Sequence, residues 1–443
     1  MCNGTIMDKL ISFSIPLMLS GILQLMFNAV DIVVVGRFSG SQALAAVGST
    51  TALINVFTNL FIGISLGANV LAARYYAAGK TKEMSETVHT AIALALVSGV
   101  AMAVIGVVFA RGALEIMGTP DDVIAKSTLY MRIYFCGMPF FMMYNYGAAI
   151  LRAVGDTKRP LIFLIVSGVI NAVLNLFLVI GFHLDVAGVG IATVISQLVS
   201  CILVLRCLHH TESSYQLHLA KLRIRSVYLK QIFEVGVPAG IQSTVINISN
   251  AMLQSSVNSF GSIAMAGYTA SNNIFGFLYV SVNSFTQACM SFTSQNYGVK
   301  KLKRMDRVLI DCMILSVVVT LILGSSVYIF GPELLHIYSN QADVIKYGME
   351  IFSYTTVTYF LCGLMDLFPG ALRGMGYSTV PMILSIIGTV GVRIIWIYGL
   401  FPSHRSLTFL FLSYPVSWIA TIIMQVICYL IVRKKVHSRA AAV

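Results

Sequence analysis

The chain has 443 residues, of which 57% are hydrophobic and 10% charged, with a formal net charge of +12. An ordinary soluble domain is about 25% charged. At a mean hydropathy of +0.85 there is too little polar surface to cover one large core, so a water-soluble globule is excluded and the apolar excess must face lipid. A crossing takes ~20 to 25 residues, so about a dozen fit and no large soluble domain does. In a membrane chain the positive charge is topology data before it is a sign of a nucleic-acid partner, and none is expected.

In chain order, apolar windows between charged or turn-forming clusters predict twelve helices near 12–36, 43–73, 88–110, 122–150, 160–182, 188–205, 231–258, 264–296, 308–330, 342–371, 381–401 and 407–432. The opening MCNGTIMDKLISFSIP has no charged region followed by a small-residue cleavage site; its apolar run is long enough to span, so the first helix is expected to be retained. With the N-terminus inside, 22 of the 29 Lys and Arg fall on inside segments and five on outside segments or helix ends, leaving Arg132 and Arg393 at depth. That bias places both termini in the cytoplasm of a plasma membrane, and an even number of crossings preserves it.

The organising feature is an internal repeat. ILRAVGDTKRP (150–160) aligns with ALRGMGYSTVP (371–381) at an offset of 221, Leu151 falling on Leu372, Arg152 on Arg373, Gly155 on Gly376 and Pro160 on Pro381. The same offset pairs Asp122-Val123-Ile124 with Asp343-Val344-Ile345, and an offset of 222 pairs Pro16 with Pro238 and Asn28-Ala29 with Asn250-Ala251. Two six-helix halves follow, 1–205 and 231–443. They are parallel repeats, because an even number of crossings brings each half in from the same side. The basic stretch 206–230 between them reads as a cytoplasmic linker, and a cleft between two bundles is the expected shape.

Familiar chemistries fail to appear. Gly79-Lys80-Thr81 lacks the first glycine of a phosphate loop, Gly374-x-Gly376 lacks the third glycine of a dinucleotide site, and no H-E-x-x-H, G-x-S-x-G or histidine cluster with metal spacing occurs. Eight cysteines are scattered singly and read as small core hydrophobes. No enzyme, metal or cofactor is expected, so any driving energy comes from an ion gradient.

Of 17 acids, the two well inside apolar runs are Asp31 and Asp366. Asp31 is six residues before Arg37, ~9 Å below the outer helix end. An unpaired carboxylate there costs several kcal/mol, so it is expected to take up a proton or bind a cation and to switch with its charge; the plain alternative is a carboxyl satisfied by neighbouring hydroxyls and amides. Its repeat position holds Leu253, so the two halves differ in chemistry. Pro16 either gives the first helix a place to bend or marks a helix start. Asp366 has Arg393 as its natural counter-ion on the next segment, as an ion pair or as a second coupling site. Asn171 and Asn175, one turn apart, offer oxygens with Thr193 in the same half as Asp31, against ordinary interhelical hydrogen bonding as the plain alternative. Arg132 reads as a packing residue.

Pro16-x14-Asp31, LRAxGDTxxP after the fourth helix, Asn171-x-x-Leu174-Asn175, GxGIAT (Gly188 to Thr193) and LRGxGxSxxP together resemble the multidrug and toxic compound extrusion (MATE) family over nearly the whole chain. The resemblance implies a secondary active, cation-coupled antiporter that expels organic, often cationic, compounds through a V-shaped cleft between an N-lobe and a C-lobe, acting as a monomer surrounded by lipid. It implies that Asp31 matches the family's helix 1 acid, which binds the coupling proton or sodium ion, and that Asn171 and Thr193 match positions around it. Asn175 stands where some members carry a second acid. Asp366 resembles the helix 10 acid of another branch whose helix 7 acid is missing here, Gln242 and Asn247 being the nearby polar residues. A lone carboxylate with neutral ligands favours a proton over sodium. The runner-up is a flippase for lipid-linked saccharides, whose phosphates call for more deep basic groups than Arg132 and Arg393. A passive channel would repeat its pore ring in both halves, which the Asp31/Leu253 asymmetry disfavours. The lack of eukaryotic-style extensions points to a prokaryotic plasma membrane.

Overall fold

A computed structural model describes residues 1–441, almost all of them helical. Twelve rods follow one another: α1 (Ile6–Phe38), α2 (Ser41–Ala77), α3 (Thr81–Ile116), α4 (Asp121–Cys136 and Met138–Ala153), α5 (Lys158–Leu176, ending in a π turn Phe177–Gly181) and α6 (Asp185–His209). The second half comprises α7 (Ser226–Asn258), α8 (Ser262–Gly298), α9 (Leu302–Ile329), α10 (Ala342–Thr355 and Tyr359–Gly374), α11 (Thr379 to Leu400) and α12 (Leu407–Phe411 and Ser413–Ala441). Among the described residues eight helices are long and apolar enough to cross a membrane, and the arms of α10, bent by 52°, make a ninth span when taken together. The remaining rods are α4, broken at Gly137, and α7 and α8, whose runs are interrupted by amides and hydroxyls.

The duplication is visible in the backbone. Left-handed residues occur at Gly40 and Gly261, at Gly79 and Lys300, and at Gly155 and Gly376, each pair separated by the offset read from the sequence. The turns that join consecutive rods therefore have the same geometry in both halves, with glycine at five of six positions because a Cβ disfavours positive φ. The break in α4 at Gly137 and that in α10 at Thr358 are also 221 apart. Pro16 and Pro238 both lie inside helices, so neither marks a helix start.

The chain forms two compact units, a C-terminal one of Met1–Met18 with Ile241–Val443 and an N-terminal one of Leu19–Gly240. These divisions lie inside α1 and α7, whereas the sequence seam lies at 205–231. The start of the chain is held to the C-terminal unit by backbone carbonyls. Lys301 Nζ donates to Cys2 O (2.9 Å), Arg304 donates to Met1 O (3.1 Å) and Gly4 O (2.8 Å), and Phe13 packs edge-on against Phe292 at 5.5 Å. Residues 210–225 are strapped to the N-terminal unit: Arg223 and Arg225 pair with Glu86, the His218 N–H donates to His89 Nε2 (3.1 Å), and Leu217 is fully buried.

The base of α7 stays in the N-terminal unit because glycines let backbones touch. A Cβ at Gly63 would stand 2.3 Å from Gly240 Cα, one at Gly67 2.1 Å from Ile232 O, and one at Gly236 2.5 Å from Ile64 Cα. Such small-xxx-small faces are how helices associate closely in lipid, where no hydrophobic force drives them together. Gly67→Leu or Gly236→Leu must push backbone aside, at a cost above the usual overpacking range of about 1–3 kcal/mol. Both are expected to lower the thermal unfolding midpoint in detergent by several degrees. Gly48→Ala, in the same helix α2 with open space at its Cβ, is expected not to lower it and to raise it slightly, since alanine favours a helix interior over glycine.

Candidate functional site

Asp31 lies in the last third of α1, half-buried. What brings α1 to α5 is a glycine: a Cβ on Gly168 would overlap the ring of Phe27 at 1.9 Å, so the ring one turn before Asp31 sits directly on the α5 backbone. Two turns further along α5 the amide Nδ2 of Asn175 donates to Asp31 Oδ1 in a short hydrogen bond and to Asn171 Oδ1 at 3.2 Å. Asn171 Nδ2 reaches Thr193 Oγ1 on α6 at 3.5 Å, and the Thr193 hydroxyl donates to the Val189 carbonyl at 2.9 Å. The four residues singled out in the sequence form one connected line across α1, α5 and α6.

The i, i+4 spacing puts both amides on one face of α5, and that face is buried, Asn175 completely. Among the described residues Asp31 makes no ion pair within 4 Å. Its partner Asn175 is spent as a donor twice over, while Asn175 Oδ1 is buried without a hydrogen-bond partner. An orphan acceptor next to a carboxylate is a pair of oxygens that a proton or a small cation could satisfy together. Asp31 also lies within electrostatic reach of Tyr130 and Tyr134 on α4. The sequence reading missed this pair; its signal is two tyrosines at i, i+4, on one face of the helix and flanking Arg132.

The C-terminal unit is built differently. The pairing of Asp366 with Arg393 expected from the sequence does not form. Arg393 Nη1 donates to Asn250 Oδ1 (2.8 Å), its Nε to Ser417 Oγ (3.3 Å), and its guanidinium lies 4.7 Å from the centre of the Tyr414 ring. Asp366 instead faces Tyr279 and Arg373, and Arg373 Nη2 donates to Gln242 Oε1 at 2.6 Å. The reason is register. Arg393 sits in the short stretch Val392–Ile395 between the π turns Ile386–Gly391 and Trp396–Leu400, and its side chain is taken up by α7 and α12 in place of α10. Arg132 is exposed and donates to the Val107 carbonyl of α3 at 3.1 Å, which is a packing role.

Comparison with known proteins fits this geometry. The sequence profile of the MatE family matches the chain twice, over 16–177 and 238–398, once per half. The probable multidrug resistance protein YoeA of Bacillus subtilis is 30% identical over 389 residues, covering 86% of this chain and 84% of that protein. The multidrug export protein MepA of Staphylococcus saprophyticus is 23% identical over 406 residues, covering 90% and 89%. Among solved structures, a MATE protein in a bent conformation superposes with a TM-score of 0.88 over 99% of this chain and 98% of that one at 19% identity. An outward-facing MATE family transporter of the MOP superfamily gives 0.88 over 98% and 97%, also at 19%. Those likenesses establish the fold, and the doubled profile match with the 30% relative establishes the family: the chain belongs to the MatE family of multidrug-efflux membrane transporters, multi-pass helical proteins that are not enzymes.

Proposed function

We propose that the protein exports organic, often cationic, compounds in exchange for protons, with Asp31 as the group that carries the coupling charge. The observation that carries this reading is the ion-pair-free Asp31 carboxylate tied to a buried amide whose own oxygen has no partner. A carboxylate held by a single neutral donor is unstable in an apolar surround and gains on protonation. A protonated Asp31 becomes a donor, and Asn175 Oδ1 is the acceptor available to it after the amide turns over. Turning that amide takes its hydrogen from Asn171 and so passes the change along the line to Thr193. Charge on one side chain of α1 is thereby linked to the packing of α5 and α6, the differential interaction that a two-state transporter needs.

Pro16 removes one backbone hydrogen bond from α1 two residues before that helix leaves the C-terminal unit. This is where α1 is proposed to bend when Asp31 changes charge. Sodium at Asp31 would use the same oxygens, but one carboxylate with neutral amides and a hydroxyl makes a poor sodium cage. The excess of Lys and Arg on one set of loops supports a plasma-membrane orientation with both termini in the cytoplasm.

Proteoliposomes with an imposed pH gradient test the proposal directly. Uptake of a cationic dye is expected to follow the proton gradient in sodium-free buffer; dependence on sodium alone would transfer the coupling to that ion. Asp31→Asn is expected to abolish gradient-driven transport, and full activity of that variant would remove Asp31 from the mechanism. The hydrogen-bond line also predicts a graded series. Asn175→Leu removes the one side-chain donor to Asp31 among the described residues and is expected to slow transport by about tenfold or more, since hydrogen bonds to charged groups are worth about 1.5–3 kcal/mol. Thr193→Val removes only the long 3.5 Å contact and is expected to slow it by less than about threefold.

A further inference from the structure

In the C-terminal unit Arg393 is 3% exposed, yet the groups on its guanidinium are neutral: the Asn250 side-chain amide oxygen, the Ser417 hydroxyl and the Tyr414 ring. Among the described residues no carboxylate lies within 4 Å of it. A guanidinium stays charged, so it is a buried cation without a counter-ion, which is costly in any apolar setting. Of its five N–H donors, two are taken by Asn250 and Ser417.

The internal repeat says where this charge stands. Asn250 is the counterpart of Asn28, one turn before Asp31 on α1, and Arg393 is the counterpart of Ala172, the residue after Asn171 on α5. The N-terminal unit thus carries an acid on its first rod facing amides on its fifth, and the C-terminal unit an amide on its first rod facing a base on its fifth. The contact between first and fifth rods thus carries opposite charge in the two bundles, at different positions. A ladder of hydrogen bonds leads to it along α11 and α12: Gln425 to Ser385 (2.9 Å), Thr421 with Thr389 (3.1 Å), and Ser417 with Arg393. The ladder fixes Arg393 between two π turns, an irregularity of helices often found at functional sites. Asn250 and Tyr414, which touch the guanidinium, are only half-buried, while the Tyr414 hydroxyl is bonded at 2.9 Å to that of the buried Tyr268.

We infer that Arg393, with Asn250, Ser417 and Tyr414, forms a binding site for a carboxylate group carried by a small amphiphilic molecule. The N–H donors not taken by Asn250 and Ser417 suit a planar two-oxygen acceptor, and the half-buried Tyr414 ring beside them supplies apolar surface for the rest of the same molecule. The inference does not rest on coupling at Asp31 and stands or falls by a separate measurement.

The test is binding of 1-naphthoate and of the uncharged 1-naphthamide to the purified full-length protein in lipid nanodiscs, by calorimetry. Naphthoate is expected to bind at least about tenfold more tightly than the amide, and Arg393→Gln to remove that preference. Because Arg393→Gln also removes the contact to Ser417 at the end of the α11–α12 ladder, Asn250→Asp is the second variant. It is close to isosteric and supplies an internal carboxylate to the guanidinium, so it is expected to weaken naphthoate by about tenfold or more, leave naphthamide unchanged and raise the unfolding temperature. Equal affinity for the two probes in the parent protein, or unchanged naphthoate affinity in a folded Asn250→Asp protein, overturns the inference.

Discussion

Ionised groups survive inside the apolar width of a bilayer only where the protein itself supplies what water would have supplied. In this protein that constraint is met at Asp31 by one amide, and the tertiary structure around it follows from the need to bring that amide within reach. The tip of the Phe27 ring on α1 must reach the α5 backbone, which requires a glycine at 168. Asn175 must be fixed from behind, which brings in Asn171 one turn away and Thr193 on the next rod. The carboxylate is held by a line of neutral groups and by no fixed cation, so adding a proton changes the balance along the whole line.

The two halves share a backbone and differ in charge. Repeated left-handed turns at the same offset, matching breaks in α4 and α10, and a family profile that fits twice all describe one six-helix plan used two times. On that plan the first half places an acid where the second places a leucine, and the second buries an arginine one residue beyond where the first holds an amide. One scaffold used twice thus carries different chemistry, an acid beside amides in one bundle and a buried base beside an amide in the other.

Both units also depend on contacts that are local in space and distant in sequence. The base of α7 joins the N-terminal unit because Gly236 and Gly240 meet Ile64 and Leu60 backbone to backbone. The first eighteen residues join the C-terminal unit because Lys301 and Arg304 hold their carbonyls. Each half therefore lends the start of its first rod to the other unit, and Pro16 and Pro238 sit two residues before the points of exchange.

The sequence by itself determined the membrane class, the helical rods and the duplication, because these depend on composition, on apolar run length and on repeated turn residues, all of which are properties of the chain in one dimension. It also determined which side chains group with Asp31, since i, i+4 spacing fixes which amides share a face and a deep acid announces itself by its surroundings. It did not determine the partners of Arg393. The nearest acid in the neighbouring segment looked like the counter-ion, but side-chain direction depends on helical register, and the π turns on either side of Arg393 shift that register by an amount no spacing rule contains. Nor did it determine where the units divide: close approach at Gly63, Gly67, Gly236 and Gly240 needs both faces at once, and a stretch of basic residues looks like a free linker until Glu86 and His89 are found beneath it. Those choices are made by contacts across space, which only the folded chain brings together.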